Sequence, residues 1–367
     1  MCIMGADKVN NKKLIIFLGS MGRGGAERVV SYISDYFSKK GWKVYIVLLL
    51  FNKVEYALNE NVEVIDLTGW ETSRVRRIPY WVAGIRQLVK QYKPDSIISF
   101  AARINVIVQM SCLGLKKSII VSERNDPYMD GRTRIVDMLT HVLYPKAHKI
   151  VFQTQKAESY FSKLALKNSV IIPNPISVNA KRCEVTKNKI VTVGRLTNQK
   201  NQIMLINAFS AIHPKFPQYR LHIYGDGELY SELKGRVRQL KLDNSIVFEG
   251  NIQNVHEMIS DAEMFVLPSN YEGLSNALLE AMIMGIPCIS TRCAGSDEYI
   301  VDAENGLLID IGDEKGLKNA ILKFIENKPL RDVCGKKAQN IIERVSTDVV
   351  LEKWYRIASG KGTVKHE

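Results

Sequence analysis

The chain has 367 residues, 46% of them hydrophobic and 24% charged, which predicts a globular protein of two or three domains and excludes disordered, collagenous and low-complexity classes. No apolar run approaches the roughly 18 residues of a bilayer-spanning helix, and the six cysteines and six histidines are dispersed without CxxC or ligand spacing, so reduced thiols and no bound metal are expected. The net charge of +13 belongs to the first half: residues 1–175 hold 26 Lys and Arg against 14 Asp and Glu, the remainder 25 against 24. Such a half suggests an anionic partner surface, membrane or nucleic acid, or else a coat of solvated lysines.

Leu14–Leu18 follows Lys12 and Lys13 but is short for a signal sequence and lacks a small-residue cleavage site after it, so it reads as a first buried strand of a cytosolic chain. Gly19-Ser20-Met21-Gly22-Arg23-Gly24-Gly25 comes next, then apolar periodicity from Ala26 through Val29, Val30, Ile33 and Phe37: strand, glycine loop, helix. Further strands are expected at Lys43–Leu50, Val62–Leu67, Asp95–Phe100, Ser118–Ser122 and Lys149–Gln153, with helices at Trp81–Tyr92, Asn105–Cys112 and Gln155–Leu166. Strands alternating with helices imply an α/β, doubly wound parallel sheet.

A polar, basic stretch after Val170–Pro175 places an inter-domain linker at 176–189, between domains 1–175 and 190–345. The second series has strands at Ile190–Val193, Arg220–Tyr224, Ser245–Phe248, Met264–Pro268 and Pro287–Ser290, and helices at Gln202–Ile212, Leu229–Leu240 and Ser275–Met284. Helices at Glu314–Glu326, Leu330–Arg344 and Thr347–Ile357 follow, and 346–367 is expected to cross back to the first domain as a C-terminal helix and tail. Two such halves predict a central cleft at the C-terminal ends of the strands.

The densest polar cluster lies after the strand ending at Pro268. Glu272 and Gly273 stand in a short loop, Ser275 is a candidate N-cap, and Gly285 ends the helix before Pro287. Free N–H groups of Gly273 and Leu274 at a helix N-terminus favour an anion such as a diphosphate. Glu280 stands in an otherwise apolar helix, where a charge needs a partner or a ligand. A second cluster, Gly194-Arg195 to Lys200, again follows a strand; a guanidinium fork and an ammonium could offset charge growing on a departing nucleoside diphosphate. In the first half, Gly24 and Gly25 let backbone approach a sugar or phosphate or simply form a turn. The loop is not GxGxxG and no acidic residue follows the second strand, which argues against NAD.

Together Gly194-Arg195…Lys200, Gly225-Asp226-Gly227, Glu272-x₇-Glu280, Gly285-Ile286-Pro287 and Gly24-Gly25-Ala26-Glu27 resemble glycosyltransferase family 4, retaining enzymes of the GT-B fold with two Rossmann-like domains. The resemblance implies that Arg195 and Lys200 bind the donor diphosphate, that Glu272 meets the donor sugar near the reacting centre, and that Glu280 binds the ribose hydroxyls. Backbone at Gly250, Asn251 and Ile252 would meet the uracil. Glu272, Arg195 and Lys200 are then the catalytic candidates, and no metal or other cofactor is implied. Where many members carry a histidine, this chain reads Ser122-Glu123-Arg124-Asn125-Asp126-Pro127. Glu123 and Arg124, with Gly24, are candidates for acceptor or sugar contact, or Glu123 and Arg124 form a structural ion pair.

That run and the Gly-Gly-Ala-Glu start also resemble bacterial enzymes that add N-acetylhexosamine or galactose-type sugars to undecaprenyl-diphosphate-linked glycans. The implied activity is transfer from a UDP-sugar to such an acceptor; the alternatives are a GT-B nucleotide-sugar epimerase and a basic nucleic-acid-binding module. A lipid acceptor would explain the basic half. Arg74, Arg76, Arg77, Arg86, Lys90 and Lys93, interleaved with Trp70, Ile78, Tyr80, Trp81 and Val82, suit an anionic inner-leaflet surface, or a surface helix whose tryptophans pack on the core. The expected location is cytoplasmic and peripheral.

Overall fold

The computed structural model describes residues 12–22, 24–69, 74–184, 187–293 and 295–360, for 74–76 the backbone alone. Contacts divide the chain into two units, Met1–Pro175 with Thr347–Glu367, and Ile176–Ser346.

The first unit runs β1 (Lys13–Leu18), α1 (Gly25–Lys39), β2 (Lys43–Leu48), β3 (Val62–Asp66), α2 (Arg74–Tyr92), β4 (Ser96–Phe100), α3 (Ala102–Ser111), β5 (Ser118–Ser122), α4 (Arg134–Leu143), β6 (Lys149–Phe152), α5 (Gln155–Ser159), α6 (Lys163–Leu166) and β7 (Ser169–Ile171). Its sheet is parallel throughout, in the order β3-β2-β1-β4-β5-β6-β7. Because both faces are covered, the strands are apolar on both sides rather than alternating with polar residues. Leu14, Ile16 and Leu18 enter one core with Val30, Ile33 and Phe37 of α1, while Ile15 and Phe17 enter the other with Trp81, Ile85 and Val89 of α2.

The second unit runs β8 (Lys189–Val193), α7 (Gln202–Ser210), β9 (Arg220–Tyr224), α8 (Tyr230–Gln239), β10 (Ile246–Gly250), α9 (Val255–Ile259), β11 (Met264–Leu267), α10 (Asn276–Met284), β12 (Cys288–Thr291), α11 (Ser296–Tyr299), β13 (Leu307–Ile309), α12 (Glu314–Glu326), α13 (Lys328–Ala338) and α14 (Ile342–Val345). Its sheet, β10-β9-β8-β11-β12-β13, is also parallel. Both units are therefore Rossmann-like.

Several elements differ from the expectation. Gln155–Leu166 is two short helices, because the chain extends at Ser162 after burying Phe161. Helix α4 and the three-residue strands β7 and β13 were not expected as separate elements. Ile176, at the start of the expected linker, is buried in the second unit's core and bridges to Ser346. Trp81 faces inward and its Nε1 donates to the Leu67 carbonyl at 2.9 Å, so it is a core residue and no interfacial aromatic.

The last helix, α15 (Thr347–Ser359), packs beside α1 and sends Val350, Leu351, Trp354 and Ile357 into the first unit's core. Trp354 is fully buried, its ring 5.9 Å from that of Phe100. Trp354→Ala should cost the first unit about 3–5 kcal/mol, read as a lowered urea midpoint.

Candidate active site

In the second unit the strand order reverses between β8 and β11, the switch point at which open α/β sheets bind ligands. The loops leaving these two strands carry the predicted cluster and are tied together. The Asn270 backbone N–H donates to the Gln199 carbonyl at 2.8 Å, Asn201 Nδ2 to Asn270 Oδ1 at 2.9 Å, and Gln199 Nε2 to the Tyr271 carbonyl at 3.1 Å. Within this frame Lys200 Nζ meets Glu272 Oε1 at 2.5 Å, with side chains only 15% and 8% exposed. Ser269 Oγ donates to the same oxygen at 2.8 Å, and Thr291 Oγ1 holds the Ser269 carbonyl at 2.6 Å. Glu272 is thus an oriented carboxylate, and Lys200 a cation held beside it.

Glycines allow the loops to approach. Gly225, directly after β9, has φ +132°, and a Cβ there would stand 2.0 Å from the Gly194 carbonyl oxygen; at Gly227 a Cβ would stand 2.4 Å from that of Leu196. The Gly194 N–H donates to the Tyr224 carbonyl at 2.9 Å and that of Gly225 to the Gly250 carbonyl at 2.8 Å, so three successive strand ends are hydrogen-bonded across the site. Asn251 and Ile252 continue from Gly250. Arg195 is exposed, and among the described residues its guanidinium makes no hydrogen bond or ion pair.

Gly273 and Leu274 lead into α10, where Ser275 caps: its Oγ accepts from the Leu278 N–H at 3.4 Å, and Gly285 ends the helix at φ +78°. Glu280 is buried on α10, and its Oε2 lies 3.2 Å from His256 Nε2. His256 Nδ1 accepts from the Asn179 N–H at 3.4 Å, and Nε2 is the ring nitrogen on the side of Glu280. The carboxylate whose apolar setting called for a partner therefore has one in the chain. Nothing in the spacing of His256 marked it, since it lies on α9 and meets Glu280 only through the fold.

In the first unit Gly24 is the N-cap of α1 and Gly25 its first residue, with the Gly24 carbonyl accepting from Tyr56 Oη at 3.1 Å; Arg23 lies outside the described residues. Glu123 and Arg124 do not pair with each other. Glu123 is buried and accepts from Arg132 Nη2 at 2.9 Å and from the Tyr144 hydroxyl. Burial pushes its carboxyl above the usual range, against the pull of Arg132 and Tyr144. Arg124 donates to Asn174 Oδ1 at 3.1 Å and lies over the rings of Phe100 and Trp354, 5.0 and 5.3 Å from their centroids. Burial lowers the pKa of its guanidinium, which still stays charged at neutral pH.

The close approach at Gly225 yields a paired test. Gly225→Ala should destabilise the second unit on the order of 3 kcal/mol. Gly235→Ala, inside α8 with open space around the added carbon, should stabilise it by about 0.5–1 kcal/mol. Urea midpoints of the two variants check both signs.

Comparison with known proteins agrees with this geometry. The model for Glycosyl transferases group 1 matches residues 176–341, and that for Glycosyltransferase Family 4 matches 23–180. Among similar proteins, a Campylobacter jejuni N-acetylgalactosamine-N,N'-diacetylbacillosaminyl-diphospho-undecaprenol 4-alpha-N-acetylgalactosaminyltransferase is 26% identical, over 89% of this chain and 94% of that one. A second, the GalNAc-alpha-(1->4)-GalNAc-alpha-(1->3)-diNAcBac-PP-undecaprenol alpha-1,4-N-acetyl-D-galactosaminyltransferase of the same organism, is 24% identical over 94% and 98%. Among solved structures, Anabaena HepE in complex with UDP and glucose superposes with a TM-score of 0.79 at 18% identity, over 95% of this chain and 100% of that one. Matched in tandem by both models and built on two Rossmann-like sheets, the chain belongs to the group 1, family 4 glycosyltransferases and has the GT-B fold.

Proposed function

We propose that the enzyme moves a hexose or N-acetylhexosamine from a UDP-sugar, with retention at the anomeric carbon, to a glycan carried on undecaprenyl diphosphate, in the assembly of a bacterial surface glycan. The observation that carries the donor side is the Lys200–Glu272 pair at the switch point beside the capped N-terminus of α10. Lys200, Arg195 and the N–H groups of Gly273 and Leu274 supply positive potential to a diphosphate, which accounts for charge stabilisation without a metal. Glu272 is oriented towards the sugar end of that diphosphate, Glu280 towards the ribose, and backbone at Gly250–Ile252 towards the base.

In the reaction the bond from the anomeric carbon to the diphosphate oxygen breaks and the bond to the acceptor oxygen forms on the same face. The acceptor's proton passes to the leaving phosphate oxygen. Glu272 accepts hydrogen bonds from Lys200 and Ser269, a setting that suits orientation and electrostatic support rather than covalent attack. The acceptor belongs to the first domain in this reading. Its chemistry is taken from the Campylobacter relatives, whose names specify undecaprenol-linked glycans.

Membrane association is peripheral in this reading: no helix among the described residues is long and apolar enough to cross a bilayer. Of the basic segment, Trp70 and the side chains of Arg74 and Arg76 lie outside the described residues, and Trp81 is in the core. Ile78 and Tyr80 of α2 are exposed.

Glu272→Ala and Lys200→Ala should each lower kcat by about 10²–10³-fold with unchanged circular dichroism, and chelation with EDTA should leave turnover as it is. A panel of UDP- and GDP-sugars with a lipid-linked acceptor reads all three. Full activity in either variant would sink the site assignment, and interconversion of the UDP-sugar without acceptor would mark an epimerase instead.

A further inference from the structure

Helix α4 is apolar on two sides. Its inner side, Leu139, Thr140 and Leu143, faces the fold, while Ile135, Met138 and Val142 are 68%, 59% and 53% exposed. Their spacing, i, i+3, i+7, places them in one stripe. Helix α4 packs against α3, and α3 against α2, on one side of the first sheet, and Leu113, directly beyond α3, is exposed as well. This layer is almost free of negative charge. From Arg74 to Lys117 the sequence holds nine Lys and Arg against one carboxylate, Asp95, and α2 and α3 hold none. The acid of α4, Asp137, accepts from the Tyr160 hydroxyl at 2.8 Å. Arg103 of α3, Arg134 of α4 and Lys163 of α6 are exposed. An apolar ridge beside a layer of helices rich in lysine and arginine, with Asp137 its partly exposed acid, matches an anionic bilayer, whose headgroups take the basic residues while the ridge enters the acyl boundary.

The ridge is also rigidly mounted. Arg132, just before α4, and Tyr144, just after it, both bond to Glu123, which directly follows β5 and precedes Arg124. The helix is therefore held at both ends to the strand end that presents Arg124, and Glu123 is a positioning residue.

The geometry points to α4 as the element that embeds this enzyme in an anionic lipid surface, through Ile135, Met138 and Val142, at a depth registered to Arg124 by the Glu123 clamp. This rests on the lipid-linked-acceptor reading and adds to it the site of contact.

The test is co-sedimentation of the full chain with vesicles of phosphatidylcholine alone and of phosphatidylcholine mixed with phosphatidylglycerol. The variants are Ile135→Ser/Met138→Ser/Val142→Ser and, as control, Val301→Ser/Ile311→Ser, two exposed apolar residues of the second unit. The wild type and the control should bind the anionic vesicles, less so in high salt. The triple variant should bind them about tenfold or more weakly, while its melting temperature and its turnover of a detergent-soluble acceptor stay at wild-type values. Equal binding by the triple variant and the wild type overturns the role of α4 and leaves the membrane reading standing. No wild-type binding to either vesicle overturns both. A wild type that is dimeric by sedimentation equilibrium, beside a monomeric triple variant with undiminished vesicle binding, would assign the ridge to a second copy of the chain.

Discussion

A lysine and a glutamate brought together from two loops, at the point where the strand order of the second sheet reverses, set the terms for the rest of this site. Lys200 and Glu272 are both largely withdrawn from water, and a buried ion pair contributes little net stability, because desolvation offsets most of the attraction. Its neighbourhood is nevertheless built around it: Ser269 and Gln199 orient the carboxylate's loop, Thr291 anchors that loop to β12, and glycines at 225 and 227 let the opposing loops close to backbone contact. A geometry held by that many polar contacts for so little stability is one suited to a ligand. In the proposed reaction the arriving diphosphate competes with Glu272 for Lys200, and the exposed Arg195 adds a second cation.

The first unit divides its charged residues differently. Glu123 is committed to Arg132 and Tyr144 and fixes α4; Arg124, its neighbour, faces two aromatic rings and an asparagine in place of a carboxylate. One of those rings comes from α15, so the C-terminal helix shapes the surroundings of an acceptor candidate as well as completing the core. Adjacent residues at one strand end thus serve the scaffold and, in the proposed reading, the substrate.

Much of this was legible in the sequence because the signals were local. Parallel strands buried on both faces show as short apolar runs, and in such sheets functional loops follow directly on strand ends, so Gly194–Lys200 and Glu272–Ser275 could be located by position as well as by family resemblance. The cap at Ser275 and the stop at Gly285 follow from residue type alone. What escaped depends on contacts distant in sequence. His256 meets Glu280 from 24 positions away in the sequence, and Arg132 and Tyr144 converge on Glu123 from opposite ends of a helix. Strands β7 and β13, three residues each, are too short to show a period. Composition left Trp81 open between a membrane face and the core, and its spacing with Ile85 and Val89, i, i+4, i+8, marks the core side of α2.

The most direct test of the account is isothermal titration calorimetry of UDP into the wild type, Lys200→Gln and Glu272→Gln. If the ion pair is the donor-diphosphate site, Lys200→Gln should weaken UDP binding at least about tenfold, the loss of one charge-assisted contact, while Glu272→Gln, which frees the lysine, should bind UDP no more weakly than the wild type. Equal UDP affinity in Lys200→Gln and the wild type would contradict it.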